Sequence, residues 1–525
     1  MLARRTVACF FVIIFLYFLT IMRMTVLTSK DYSSVLSEQN YTRLKISRQR
    51  GTIYDCNKIP ITNNKKVNYV CVMPCESSIK KIEEILDGEE KEKTLKTLKE
   101  GKAVLLQLDK KYECDGFFYA NAYTTTGNTA IHTIGYTDSN FSAVSGIEKA
   151  YDSILNLNCT AEFVIECDAK GRPLENSVPE FVNTADTFGT GIVTTIDSEI
   201  QEIIEKYEDT IEKGAIIVTE CKTGKIRALA SFPTFDLNDS ATLKNLENSP
   251  FLNRTINSYN VGSVFKPCVA AAAIESGNID FCYFCSGSCQ IAERQFKCHE
   301  QAGHKFTDLY SGIANSCNTY FYNLALNTDK DRLYNMIKNL KFGNSLMLCE
   351  GIYTSSGYIP KKASLSNNGS LANLSIGQGE LLLSPISLSN LYTAIANGGL
   401  YYNPSLIEGT LNKGNYESFT NNYPTRCMQK STAETLKNAL RETFVNGTAE
   451  SFRPNLVTAA GKTATAQTGK FQNNVEICSS WFCGFFPFEE PLYTVIVFSE
   501  DSKLQTKATA QIFSEIADAV TQLKS

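Results

Sequence analysis

Apolar and polar positions change period several times along the chain. Residues 6–22 form a run without charge, rich in Phe, Ile, Leu and Val. That length approaches the ~20 residues of a spanning helix, and Met24 to Leu27 extend it if Arg23 snorkels to the interface. Residues 29–45 are polar with a helical look, and 48–55 read as an exposed basic turn entering a short strand. The charged stretch 78–102 predicts two short surface helices with a solvated face. Residues 132–136 and 146–151 predict a turn and a short helix, with His132 in a structural role. Residues 162–165 and 192–196 alternate as strands, and a helix is predicted over 197–210. A hairpin follows, with strands at 215–218 and 226–230 and a turn at 222–225. An alanine-rich run to Ala273 predicts a helix buried on most faces. Helices dominate 308–340 and 385–397, strands return at 457–466, 479–485 and 493–498, and a helix is predicted over 506–523. Strands at both ends with helices between predict an α+β domain whose terminal segments share one sheet.

The charge pattern places this domain. Arg4 and Arg5 precede the apolar run, which argues for a cytoplasmic N-terminus and an extracytoplasmic bulk. No small-x-small site follows the run, so an uncleaved anchor is expected rather than a signal peptide. The expected organisation is a tail at 1–5, an anchor at 6–27, an N-terminal module at 28–196 and a catalytic domain at 197–525. With 525 residues and a net charge of −4, acids and bases mixed, the chain has room for two or three domains and carries no nucleic-acid footprint.

The chain has 18 cysteines, of which Cys9 alone lies in the apolar run. Outside the cytoplasm so many would be expected to pair. Their spacing is scattered, and Cys71, Cys268 and Cys483 stand in apolar context, where a free cysteine behaves as a small hydrophobe. An oxygen-free source, in which exterior thiols stay reduced, accounts for both. Cys282, Cys285, Cys289 and Cys298, with His299 and His304 nearby, overlap metal-ligand spacing. A Cys285–Cys298 disulfide or free thiols are the preferred readings there, and no metal or cofactor is expected.

Candidate chemistry centres on Ser263 and Lys266, three residues apart at the start of the alanine-rich helix. On a helix such residues share a face, so hydroxyl and amine can touch. A desolvated lysine beside another cation loses its proton near neutral pH and can activate a serine. Ser316-Cys317-Asn318, in a loop between helices, offers a proton-relaying hydroxyl and an amide to hold a substrate. Cys317 is expected to point away as a small buried side chain. Lys462-Thr463-Ala464-Thr465, among small residues in strand context, offers a second cation that lowers Lys266 and attracts a substrate carboxylate.

Ser-x-x-Lys, Ser-x-Asn and Lys-Thr-small in this order resemble the monofunctional (class B) penicillin-binding proteins. Arg50-Gly51-Thr52-Ile53-Tyr54-Asp55, Gly135-Tyr136, Gly146-Ile147-Glu148, Ser375-Ile376-Gly377-Gln378-Gly379, Asn446-Gly447-Thr448-Ala449 and the Trp481–Pro487 segment are similar to further family elements. The resemblance implies a penicillin-binding/serine β-lactamase-like transpeptidase domain, an antiparallel sheet flanked by helices, after a membrane helix and an elongated β-rich module. It also implies a D,D-transpeptidase that crosslinks peptidoglycan stem peptides ending in D-Ala-D-Ala and is acylated by β-lactams. Ser263 is the implied nucleophile, Lys266 the base, Ser316 the proton shuttle and Asn318 the donor-peptide anchor. Lys462, Thr463 and Thr465 would bind the terminal carboxylate, and the amides of Ser263 and Thr465 would form the oxyanion hole. No cofactor is implied. A membrane-embedded glycan polymerase is the implied partner, and self-association into a homodimer is a further expectation. Two positions depart from the family pattern: Val261 stands for a proline, and Ala464 for the glycine of Lys-Thr-Gly, which predicts altered β-lactam affinity. A carboxypeptidase or β-lactamase of the same superfamily, a catalytically silent scaffold and a β-lactam sensor are the competing readings.

Overall fold

The structure, a computed structural model, describes residues 2–29, 40–125, 127–138, 142–183, 190–236, 248–419, 422–472, 475–500 and 506–524. The first element is a continuous helix, Leu2–Ser29, in which Arg5–Val26 is long and apolar enough to cross a membrane. Its large apolar side chains, Phe10, Phe11 and Phe15 among them, are exposed. The expected helical character of 29–45 gives way to a strand, Tyr41–Arg50, and residues 30–39 lie outside the described residues.

The chain divides into two compact units and does not pass between them once near Asp197. Residues 1–49, 65–124 and 158–185 form one unit, and 50–64, 125–157 and 186–525 form the other. The first unit contains two three-stranded sheets and the two expected surface helices, Glu76–Ile85 and Gly88–Lys99. Ile46, Cys71, Ala120, Phe163 and Ile165 are part of its core.

The second unit takes in two segments from the N-terminal half of the chain. Arg50, expected in an exposed turn, is buried. Its guanidinium lies 2.7 Å from the Glu148 carboxylate and 2.6 Å from Asp152. Strand Thr52–Tyr54 then pairs in parallel with Gly191–Thr194. His132 is structural: burial lowers it to about 4, and its Nε2 lies 2.6 Å from the Pro250 carbonyl oxygen.

The central sheet of this unit has five antiparallel strands: β1 (Gly214–Glu220), β2 (Ile226–Phe232), β3 (Ala460–Gln472), β4 (Val475–Phe486) and β5 (Tyr493–Ser499). Their spatial order is β2-β1-β5-β4-β3, so the terminal segments of the domain share one sheet, as expected. Strand side chains alternate between faces, and here both faces are covered. Ala215, Ile217, Trp481, Ile496 and Phe498 enter one core with the alanine-rich helix Lys266–Glu275. Ile216, Val218, Phe482, Val495 and Val497 enter the other, with Ile200 and Ile204 of helix Ser198–Glu205 and Phe513 and Ile516 of the C-terminal helix Thr506–Lys524. Helix Lys430–Val445, absent from the sequence expectation, puts Leu436 and Leu440 into the first core and Phe444 into the second.

Candidate active site

Ser263 does not sit in the first α-helical turn. A 3-10 turn, Gly262–Phe265, carries it, and the α-helix starts at Lys266. The turn is fixed on three sides. Tyr392 OH donates to the Val264 carbonyl oxygen at 2.9 Å. The indole Nε1 of fully buried Trp481 donates to the Asn260 carbonyl oxygen at 3.0 Å, and Asn260 Nδ2 donates to the Gln467 carbonyl oxygen at 2.6 Å. Gly262 has φ +63, and a Cβ there would lie 2.9 Å from the Thr465 carbonyl oxygen. Glycine meets both demands and lets the serine turn press against β3.

Lys266 is fully buried, and its ammonium has three donors to place. Nζ lies 2.6 Å from the Ser316 carbonyl oxygen, 3.1 Å from Ser316 Oγ and 2.8 Å from Asn318 Oδ1. These three acceptors match its donors, so the expected serine–lysine contact is not among its hydrogen bonds. None of the three is a carboxylate. Burial lowers Lys266 to about 7, against the opposing charges of Cys317 and Cys298. Ser316 reaches the lysine from a turn that holds it at φ +55, a left-handed conformation that costs a non-glycine residue about 1–3 kcal/mol. Asn318 begins helix Asn318–Leu326, and Cys317 stands at its N-cap position without a side-chain cap hydrogen bond.

Lys462, on β3, is also fully buried and donates to the Thr463 carbonyl oxygen at 3.0 Å. Burial, and then the charge of Lys266, push it well below its ordinary value. The direction of coupling differs from the expectation: burial lowers Lys266, whereas Lys266 helps lower Lys462.

Ser263, Ser316, Asn318, Thr463, Ala464 and Thr465 line one cleft of about 400 Å³, and Thr448, His299 and Lys507 complete its lining. Lys266 and Lys462 lie behind this surface. Thr448 Oγ1 and Thr463 Oγ1 are 2.6 Å apart, which ties the Asn446–Ala449 segment to β3. Thr448 stood in a quoted motif without an assigned role, His299 stood beside the cysteine cluster, and no sequence signal marked Lys507. Ala464 is almost wholly buried and shares a core with Ala460, Ala466 and Trp481, so its methyl group belongs as much to packing as to the cleft.

The cysteines that the structure describes are all free thiols, Cys285 and Cys298 included. Of the expected cluster, exposed Cys282 and half-buried Cys289 fall outside. Cys285 and Cys298 instead converge with His304 and with Cys317. Cys317 is the small buried side chain expected and does not line the cleft, and it also joins this cluster.

Comparison with known proteins agrees with this geometry. The family model described as "Penicillin binding protein transpeptidase domain" matches residues 214–518. Stage V sporulation protein D of Bacillus subtilis (strain 168) is 24% identical over 508 residues, 89% of this chain and 77% of that protein. Peptidoglycan D,D-transpeptidase MrdA of Acinetobacter baumannii is 24% identical over 549 residues, 90% of this chain and 80% of that protein. Among solved structures, penicillin-binding protein 3 of Mycobacterium tuberculosis, complexed with aztreonam, aligns with a TM-score of 0.67 at 19% identity, covering 92% of this chain and 97% of that one.

Proposed function

The chain belongs to the penicillin-binding protein transpeptidase family, and from that premise we propose that it is a peptidoglycan D,D-transpeptidase acting through an acyl-enzyme on Ser263. The observation that carries the mechanism is a fully buried lysine surrounded by neutral oxygens. Neutral Lys266 takes the Ser263 proton as Oγ attacks the penultimate D-Ala carbonyl, directly or through Ser316 Oγ. The amides of Ser263 and Thr465 receive the oxyanion. Collapse breaks the C–N bond, the proton passes to the departing D-alanine amine through Ser316, and the acyl-ester remains. An amine from a neighbouring stem attacks that ester, gives its proton to Lys266 and forms the crosslink, and Ser263 Oγ is reprotonated as it leaves.

Asn318 holds the donor-peptide amide. Thr463 and Thr465 hydroxyls meet the terminal carboxylate, with Lys462 supporting β3 from behind rather than reaching into the cleft. β-Lactams acylate the same serine. The helix at 2–29 anchors the chain with its N-terminus in the cytoplasm, so the cleft faces the wall. A membrane-embedded glycan polymerase is the partner that such an enzyme requires, since it crosslinks strands made elsewhere.

The test is incubation of the full chain, in detergent, with fluorescent penicillin, followed by peptide mapping. A long-lived adduct on Ser263 that is absent from Ser263→Ala is expected. Rapid hydrolytic release would instead mark a β-lactamase, and an adduct at another residue would overturn the assignment of the nucleophile.

A further inference from the structure

Before the Ser316 loop the chain makes a small excursion of two hairpins. Tyr283–Cys285 pairs with Lys305–Thr307, and Ser288–Ile291 pairs with Arg294–Lys297. Strands of three and four residues are too short to build a core of their own. Phe284 and Phe306, the larger apolar residues of the first hairpin, point into solvent. What the excursion does enclose is a cluster of soft ligand atoms.

His304 Nδ1 lies 3.5 Å from Cys298 Sγ and 3.7 Å from Cys285 Sγ. Cys298 Sγ lies 3.9 Å from Cys317 Sγ, and all four ligand atoms fall within 4.8 Å of one another. A tetrahedral zinc site has edges of about 3.8 Å between two sulfurs and about 3.6 Å between sulfur and nitrogen, from its usual bond lengths. Three of the six edges, at 3.5, 3.7 and 3.9 Å, match these lengths, and the other three are no longer than 4.8 Å. The three cysteines are buried and His304 is half-buried. The backbone is set for this convergence: Cys298 N–H donates to the Gly287 carbonyl oxygen at 2.8 Å. Gly303 has φ +79, and a Cβ there would lie 2.2 Å from the Cys285 carbonyl oxygen, so only glycine brings His304 this close to Cys285.

We propose that Cys285, Cys298, His304 and Cys317 hold one zinc ion, which fastens the two hairpins to the loop that carries Ser316 and Asn318. Three thiolates and one imidazole suit a soft, tetrahedral ion. Four protein ligands close its coordination, so the ion has no open position for chemistry and is a positioning element. Its reach into the active site runs through the chain: Cys317 stands between the two residues that receive the Lys266 hydrogen bonds. The ion adds a fixed point to the apolar contacts that Ile291 and Phe296 make with Tyr322 and Ala372, and binding joins it to folding by linkage. The assignment rests on ligand geometry and is independent of the reaction proposed above.

The experiment is elemental analysis of the full chain, purified in detergent without added metal or chelator. About one zinc per chain is expected. Cys285→Ser and Cys298→Ser should each lose the ion, while Cys282→Ser and Cys289→Ser should keep it. If the ligand variants do not fold, the wild-type chain provides the readout: a zinc chelator should lower Tm, and zinc but not magnesium should restore it. Less than a tenth of an equivalent of zinc in the wild-type chain, a mapped Cys285–Cys298 disulfide, or a Tm indifferent to chelation would each overturn the site.

Discussion

Arg50 and Lys266 are both buried cations, each presented by a short sequence signature, and their surroundings differ in one respect. The Arg50 guanidinium meets the carboxylates of Glu148 and Asp152. Lys266 meets a carbonyl, a hydroxyl and a side-chain amide. An arginine stays protonated in any protein environment, and a carboxylate beside it keeps the pair ionic. A buried lysine with no carboxylate in hydrogen-bond reach instead surrenders its proton at a lower pH; for Lys266 burial outweighs the opposing charges of Cys317 and Cys298 and brings it to about 7. The first arrangement fastens Arg50 to the segment around Glu148 within one unit. The second is the arrangement proposed for the base. Burial is common to both, so the presence of a carboxylate separates structure from chemistry.

The largest expected effect comes from removing the base. Lys266→Ala should slow acylation of Ser263 by β-lactams by about 10²–10⁴-fold in a chain whose thermal unfolding still shows a folded domain. An acylation rate within threefold of wild type would break the comparison, because Lys266 would then be another structural cation. Arg50→Ala should have the opposite profile. Leaving the Glu148 carboxylate buried without its partner should destabilise the catalytic unit by about 3–5 kcal/mol, read by denaturant unfolding. The folded fraction should acylate at the wild-type rate, since Arg50 touches nothing in the cleft. The smallest effect is expected at Ala464→Gly. The Ala464 side chain is packed in the core, so acylation rates by several β-lactams should shift by less than about tenfold, the size of a 1.4 kcal/mol change. Rates identical to wild type for every β-lactam would remove Ala464 from the determinants of affinity.

The comparison also explains what the sequence disclosed. Alternation located the sheet strands because each face of the sheet enters a different core, as Ile216 and Ile217 do. The candidate set of Ser263, Lys266, Ser316, Asn318 and Lys462 was legible because each lies in a short motif of constrained residue types. Burial of Arg50 was not legible, since its partner Glu148 is 98 residues away and a basic residue beside Gly51 reads locally as a turn. Cys317 was legible as a buried side chain but not as part of the cysteine cluster, because helix Leu309–Ala314 intervenes between it and His304. The helix Lys430–Val445 was missed although it carries an amphipathic pattern, with Ala433, Leu436, Ala439 and Leu440 buried.

The central claim, that burial without a carboxylate partner makes Lys266 a base, is tested most directly by the pH dependence of wild-type acylation. Below its pKa Lys266 is protonated and cannot accept the Ser263 proton; above it the base is free. The rate of β-lactam adduct formation, followed by mass spectrometry from pH 5 to 10, should therefore rise about tenfold per unit at acid pH and level off close to the value of about 7 that burial imposes. A rate still climbing above pH 9 would show a lysine with its ordinary affinity for the proton, and would contradict the account.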